Sequence, residues 1–195
     1  MTVRPATRLS AEDWAVAGLH LLEAEGVEAL QINRLCSELG VTRGSFYWHF
    51  ADVAELRSAV AERWRAETRA VLEELGRVGT LPPGERLELM TLRLVDDSWW
   101  SAERAVRGWA ATEDSVRTVV EESDRFALDL LTRTLQDVGH EPHEARVRAG
   151  LLVYAGIGFA HGRNGLPRPT EREVRTMMRV LAGPPDPEPD VGKDA

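Results

Sequence analysis

The chain has 195 residues, 43% of them hydrophobic, with a formal net charge of -8 at pH 7. That is long enough to bury a sizeable core as one large or two small domains, and the acidic balance excludes a broad basic field for nonspecific nucleic-acid binding. A single cysteine excludes an internal disulfide, no charged-then-apolar leader opens the chain, and no run approaches the ~20 apolar residues that span a bilayer, so a cytoplasmic protein without a membrane partner is expected.

Met1 to Leu9 reads as a short arm that frays, although Arg4 and Arg8 can reach phosphate or a minor groove if a DNA reader follows. Ser10 caps a first helix with Asp13 three residues on, Leu9 and Trp14 form a staple, and Trp14, Ala17, Gly18, Leu21 and Leu22 make its core face. Gly26 ends it. The next stretch, Gln31 to Phe50, is the most informative in the chain. Ile32, Leu35, Cys36 and Leu39 form the apolar stripe of a short helix, which Gly40 stops as a left-handed cap. Cys36, on that stripe, is expected in the core. Thr42 is placed to cap a second short helix, with Val41 and Phe46 as its staple. Two short helices joined by a tight glycine turn make a helix-turn-helix.

The exposed side of the second helix separates a DNA reader from an ordinary helical hairpin with surface aromatics. At ~100° per residue Phe46 and Phe50 share one side, Gly44, Ser45 and Trp48 lie near the opposite side, and Tyr47 and His49 project to the flanks. A helix in the major groove needs small or hydrogen-bonding groups toward the bases and donors on either side toward the two backbones.

The run Leu39-Gly-Val-Thr-Arg-Gly-Ser-Phe-Tyr-Trp-His-Phe50, followed by Ala-Asp-Val-Ala-Glu-Leu56, resembles the N-terminal DNA-binding domain of the TetR family of bacterial transcriptional regulators. The resemblance covers about residues 9 to 60 by motif and the remainder by helical layout. It implies that Tyr47 and His49 contact phosphates, and that Arg43, Gly44, Ser45 and Trp48 face the bases. Gln31, Arg34 and Thr42 complete the candidate DNA contacts. Two positions depart from the family pattern: Val53 stands where many members carry a phosphate-touching lysine, and Gln31 replaces a common threonine. Residues 1 to 60 hold five arginines against eight acids, so binding must rest on local donor geometry more than on charge.

Asp52 caps a longer helix with Glu55 at its third position, and an apolar side through Val53, Leu56, Val60, Trp64, Val71, Leu72 and Leu75 carries it to Gly76. Gly79-Thr-Leu-Pro-Pro-Gly84 breaks the chain. Leu87 to Val95 reads as a buried helix running into Trp99-Trp100, followed by a second short helix with Ala105, Val106, Trp109 and Ala110. Ser115 to Val138 holds helical register and closes at Gly139. A helix over roughly 142 to 163 is rich in small residues, Ala145, Ala149, Gly150, Ala155, Gly156, Gly158 and Ala160, which let a partner helix come close. Thr170-Glu-Arg-Glu173 is a capping box for a last helix with Val174, Met177, Met178 and Leu181 in one stripe. The tail from Gly183 is proline-rich and acidic and is expected to be disordered.

The expected fold is all-α: an N-terminal three-helix domain with the helix-turn-helix over residues 1–52, a helical bundle for ligand binding and dimerisation over 53–183, and a tail over 184–195. The resemblance implies that the last two helices pair with the same two of another subunit, giving a homodimer on double-stranded, palindromic operator DNA. It also implies a cavity for a small-molecule effector. Met90, Trp99, Trp100, Trp109, Phe126, Tyr154 and His161 are candidates to line it, each with core packing as the plainer reading. No cofactor is expected. His140-Glu-Pro-His143 admits a metal site on paper, but it crosses a glycine-proline junction without a third ligand at telling spacing, so neither metal nor enzymatic chemistry is expected. A helical scaffolding dimer without DNA reading is the competing possibility, suggested by Val53 and the acidic balance. The whole reading is therefore a ligand-responsive repressor.

Overall fold

Ser10 starts the first helix as its spacing to Asp13 predicts. The Asp13 amide donates to the Ser10 hydroxyl at 3.2 Å, and the Ser10 amide donates to the Asp13 carboxylate at 2.7 Å. One pair of side chains thereby satisfies two of the donors that a helix start leaves open. The helix, α1 (Ala11–Glu25), ends at Gly26, whose φ of 84° lies in the region open to glycine. A 3₁₀ turn (Val27–Ala29) leads into α2 (Ile32–Leu39), α3 (Arg43–Tyr47) and α4 (Val53–Arg77), and then come α5 (Asp97–Ala110), α6 (Asp114–Asp137), α7 (Pro142–Gly162) and α8 (Glu171–Ala182). The computed structural model describes residues 9–77, 81–82, 85, 89, 97–162, 165, 167 and 169–183. Among them there are eight α-helices and no strand, so the fold is all-α, a helix-turn-helix domain followed by a helical bundle. No described helix is long and apolar enough to cross a membrane. The arm with Arg4 and Arg8, the helix expected over 87–95 apart from Leu89, and the tail over 184–195 lie outside the described residues.

The core begins in the first three helices and continues past them. Trp14, Leu22, Leu30, Leu35 and Phe46 are fully buried, and the same cluster takes in Leu56, Val60 and Trp64 from α4, Val106 and Trp109 from α5, and Val116 and Val120 from α6. Trp14 meets Phe46 edge to face, with centroids 5.5 Å apart. Helix α5 is one continuous element where the sequence suggests two pieces, so Trp100 and Trp109 ride on the same helix.

Gly18 sets how closely α1 approaches α4. A methyl group at that position would lie 2.5 Å from Val60 Cγ2. Val60 is fully buried and stiff at χ1, so it has no room to yield. Gly18→Ala would gain about 1 kcal/mol of helix propensity and lose about 1 to 3 kcal/mol to overpacking. We expect a lowered urea midpoint at unchanged slope; a raised midpoint would show that the α1–α4 contact is looser than this.

A second cluster joins α6 to α7 through Leu135, Ala145 and Ala149, with Leu128, Leu131, Val138 and Leu152 against it. The small residues of α7 therefore serve internal packing in good part: Ala145, Ala149 and Ala160 are fully buried within the chain, and a methyl on Gly156 would meet Trp100 at 3.6 Å. Helix α8 opens on the complete Thr170–Glu173 capping box and buries Val174 and Met178. Its far end is pinned twice: His140 Nε2 donates to the Gly183 carbonyl at 2.7 Å, and Arg148 donates to the Val180 carbonyl at 2.6 Å. His140 is thus a buried brace, while His143 is exposed.

Candidate nucleic-acid interface

Gly40, at φ 66°, turns the chain in the left-handed conformation between α2 and α3, and the amide of Val41 donates back to the Cys36 carbonyl at 3.0 Å. Cys36 is buried, as its place on the stripe predicts, and burial pushes its thiol up. Thr42 occupies the N-cap position of α3 with extended backbone, but its side chain makes no capping hydrogen bond; the expected hydroxyl cap is replaced by the Thr42 carbonyl, which accepts from the Ser45 amide at 3.0 Å. With only five residues, α3 is held by its side chains more than by its ladder. Phe46 is fully buried, Phe50 packs 5.5 Å from it, and the Phe50 amide donates to the Phe46 carbonyl, so the turn that carries Trp48 and His49 is fixed from beneath.

What that anchoring leaves outward is Arg43, Gly44, Tyr47 and Trp48, with Ser45 and His49 half-buried at the margins. Trp48 is 76% exposed, an unusual position for so large an apolar ring. The Arg43 guanidinium reaches the Tyr47 hydroxyl oxygen at 3.5 Å. Gly44 has no internal reason to be glycine: a methyl there would meet only Thr42 Oγ1, at 3.7 Å.

The candidates on and before α2 are engaged within the chain. The Gln31 side-chain amide donates to the Glu28 carbonyl at 2.9 Å. Arg34 is clasped by Glu25 at 2.6 Å and Glu38 at 2.8 Å, and this pairing holds the Glu25 carboxyl below its usual range. Arg34 accordingly braces α2 against the end of α1, and any phosphate must compete with two carboxylates for it. At the start of α4 the Glu55 amide donates to Asp52 at 2.9 Å, while the Ala51 amide donates to Glu55 at 2.6 Å, confirming the cap read from their spacing.

The effector candidates among the described residues do not converge on one cavity. Met90 and the side chain of Trp99 lie outside the described residues. Trp100 is buried, tilts on Phe159 with centroids 5.8 Å apart, and lines a cavity of about 110 Å³ among α4, α5, α6 and α7. Trp109 instead belongs to the core around Trp14, with its indole N–H on Glu113 at 2.7 Å. Phe126 sits under the Arg69 guanidinium, 4.4 Å from ring centroid to Cζ, in a surface cleft between α4 and α6. Tyr154 is 73% exposed and His161 is exposed too, so the expectation that these two face a cavity together is corrected. The physical reason is angular: Val153, Gly156 and Ile157 take the inward positions, and Tyr154 is rotated ~100° from its neighbour.

Sequence reasoning missed the polar group on that cavity. Arg107 lies between Glu103, at 2.6 Å, and Asp124, at 2.5 Å, and Thr68 stands on the same wall. Burial pushes the Glu103 carboxyl above the usual carboxylate range, against the neighbouring Arg107 guanidinium. The Glu103–Arg107 spacing of four is the only signal the sequence holds, and it is identical to that of many surface pairs. No group of three or more His, Cys, Asp or Glu among the described residues is placed to hold a metal ion.

Residues 16–60 match the model of the family described as bacterial regulatory proteins, tetR family. Several solved structures resemble nearly the whole chain. A transcriptional regulator from Rhodococcus sp. Rha1 is 22% identical, with a TM-score of 0.72, covering 90% of this chain and 95% of its own. A candidate transcriptional regulator from Streptomyces coelicolor A3(2) is 20% identical, with a TM-score of 0.64 over 87% and 95%. A candidate TetR-family transcriptional regulator from Rhodococcus sp. is 16% identical, with a TM-score of 0.63 over 88% and 96%. No curated protein matches the sequence. At such identities the structures speak to the fold, and the residues around α3 speak to the chemistry. Together, the matched segment and the anchored helix-turn-helix make residues 16–60 a DNA-binding segment of the kind found in bacterial regulatory proteins of the tetR family, on a fold shared with the regulators named above.

Proposed function

We propose that the protein is a homodimeric repressor that reads a palindromic operator with α3 and is released from it by a small molecule, in the cytoplasm. The observation that carries this reading is the outward face of α3. Gly44 and Ser45 offer close approach to base edges and Trp48 an apolar contact, while Tyr47 and His49 flank them toward the two backbones. Arg43 reaches the Tyr47 oxygen as a donor, which leaves the phenolic hydrogen for a phosphate. On this reading residues 1–52 form the DNA-binding unit and residues 53–183 the unit that pairs and senses.

Pairing is supported by an outer stripe on α7. Val147, Leu151 and Tyr154 stand at i, i+4 and i+7, all exposed, with the exposed Val180 of α8 as a further apolar group. A second copy of this chain is the occupant that the spacing favours, because helices of one chain meeting their own copies generate the two-fold axis a palindrome needs. A ligand response is supported by the two faces of α5. Trp100, Glu103 and Arg107 line the cavity, whereas Val106, Trp109 and Ala110 pack in the core with α1, so a ligand that shifts α5 strains the base of the reader.

The test is selection of bound DNA from a random pool with the full-length protein. A two-fold symmetric motif is expected, and Tyr47→Phe or His49→Ala should weaken binding to that motif and to unrelated DNA alike, by about 1 to 3 kcal/mol, without moving the preferred site. Failure to enrich any sequence would favour a scaffolding dimer instead. A mutant that shifted sequence preference at full affinity would overturn the orientation of α3.

A further inference from the structure

The cavity among α4, α5, α6 and α7 has an apolar wall and a charged one. Trp100, Leu131, Val153 and Ile157 form the first. On the second, Arg107 spends its donors on its two neighbours: Nε goes to Glu103 Oε1 at 2.6 Å, and Nη1 and Nη2 go to Asp124 at 3.0 and 2.5 Å. What remains unspent is acceptor capacity. Glu103 is 7% exposed, and its second oxygen, Oε2, accepts no hydrogen bond of ordinary geometry among the described residues, although the indole N–H of the buried Trp64 lies near enough to draw the carboxyl downward. The hydroxyl of Thr68, a residue 5% exposed, has no hydrogen-bond partner among the described residues, and both Thr68 and Glu103 line the cavity. When both are ionised, two carboxylates on one guanidinium also leave one negative charge in excess, and burial works against that charge at Glu103. A buried carboxylate oxygen without a well-placed donor is costly, so a ligand that brings both a hydrogen-bond donor and a positive charge gains on two counts.

We propose that this cavity binds a small organic amine, whose ammonium group donates to Glu103 Oε2 and Thr68 Oγ1 while a short hydrocarbon body lies along Trp100 and Leu131. The proposal rests on the ligand-responsive reading for its regulatory meaning, but the site stands or falls by itself. A metal ion does not suit a place with so few free oxygens and so much apolar wall. The inner part of this half-open cleft is small, about 110 Å³ against the roughly 150 Å³ that admits benzene, so about five heavy atoms fill it.

The test is calorimetric titration of the full-length protein with n-butylamine, 1-butanol and butyrate at constant ionic strength, repeated on Glu103→Gln and Thr68→Val. Butylamine should bind about tenfold more tightly than 1-butanol, as a charge-assisted bond requires, and butyrate should not bind. Glu103→Gln should lower the amine affinity about tenfold and leave that of 1-butanol within about twofold. Thr68→Val, which keeps the shape and removes the hydroxyl, should lower the amine affinity by a smaller factor and guards against a folding defect in the first variant. Equal affinity for amine and alcohol, preference for butyrate, amine binding indifferent to both substitutions, or no heat with any of the three would overturn the assignment. Operator affinity with and without saturating butylamine is read separately. Glu103-dependent binding with unchanged operator affinity would keep the amine site and remove its regulatory role, whereas a ligand response that survives Glu103→Gln would keep the regulation and remove this site.

Discussion

Changing Leu151 and Tyr154 together to aspartate is expected to leave only monomers in sedimentation, and the unaltered protein is expected to sediment as a dimer at micromolar concentration. Tyr154 is 73% exposed and Leu151 48%, so neither supports the fold of its own chain to any large extent. Exposed apolar groups of this size in a row mark an interaction surface, and carboxylates on a shared axis would be buried facing their own copies. Operator affinity should fall about a hundredfold or more, because the second half-site is then no longer engaged at high effective concentration. Helical content should be unchanged. By contrast Ala149 and Gly156, the small residues that look most interface-like in the sequence, pack inside the chain, so bulky groups there should lower stability first. Retained dimers with full operator affinity in the double variant would remove this face from consideration.

Gly44→Leu is expected to abolish specific DNA binding without unfolding anything. The position tolerates a Cβ, since only Thr42 Oγ1 lies within reach at 3.7 Å, and leucine favours helix over glycine by about 1 kcal/mol. The melting temperature should therefore hold or rise. On the DNA side the leucine would stand between α3 and the base edges, bringing operator affinity down to the nonspecific level, about three orders of magnitude or more. A melting curve and an operator titration on the same sample decide it. Specific binding at wild-type strength would mean that α3 does not enter the groove by this face.

Local chemistry made the reader legible before any coordinates: capping residues, a glycine at the turn and apolar spacing are interactions within a few residues of one another. Ser10, Gly26, Gly40, Phe46 and Asp52 all behave as their neighbours dictate. Legibility failed where the partner is far along the chain. Periodicity says that α7 has a small-residue side and a large apolar side, but not which of them meets its own chain; Ala149 turns inward and Tyr154 outward. Trp109 looks the same in sequence whether it walls a cavity or closes the core with Trp14. Arg34 reads as an open donor because Glu25, nine residues earlier, comes beside it only once α1 and α2 have packed. Glu103 could not be told from a surface acid until α5 was seen to be covered by α4, α6 and α7.

The way α5 closes the core around Trp14 also bears on the order in which this protein takes shape. Helix α1 packs on α4 and on α5, so residues before 30 find part of their cover only among residues beyond 100. Contacts so distant in sequence are slow to form, because a long stretch of chain must be ordered before they stabilise anything. On a ribosome the helix-turn-helix emerges early, yet the apolar surface that Val106 and Trp109 later cover stays open to water until α5 is made. The reader is synthesised before the helices that complete its core, which ties the appearance of a DNA-competent surface to completion of the bundle behind it.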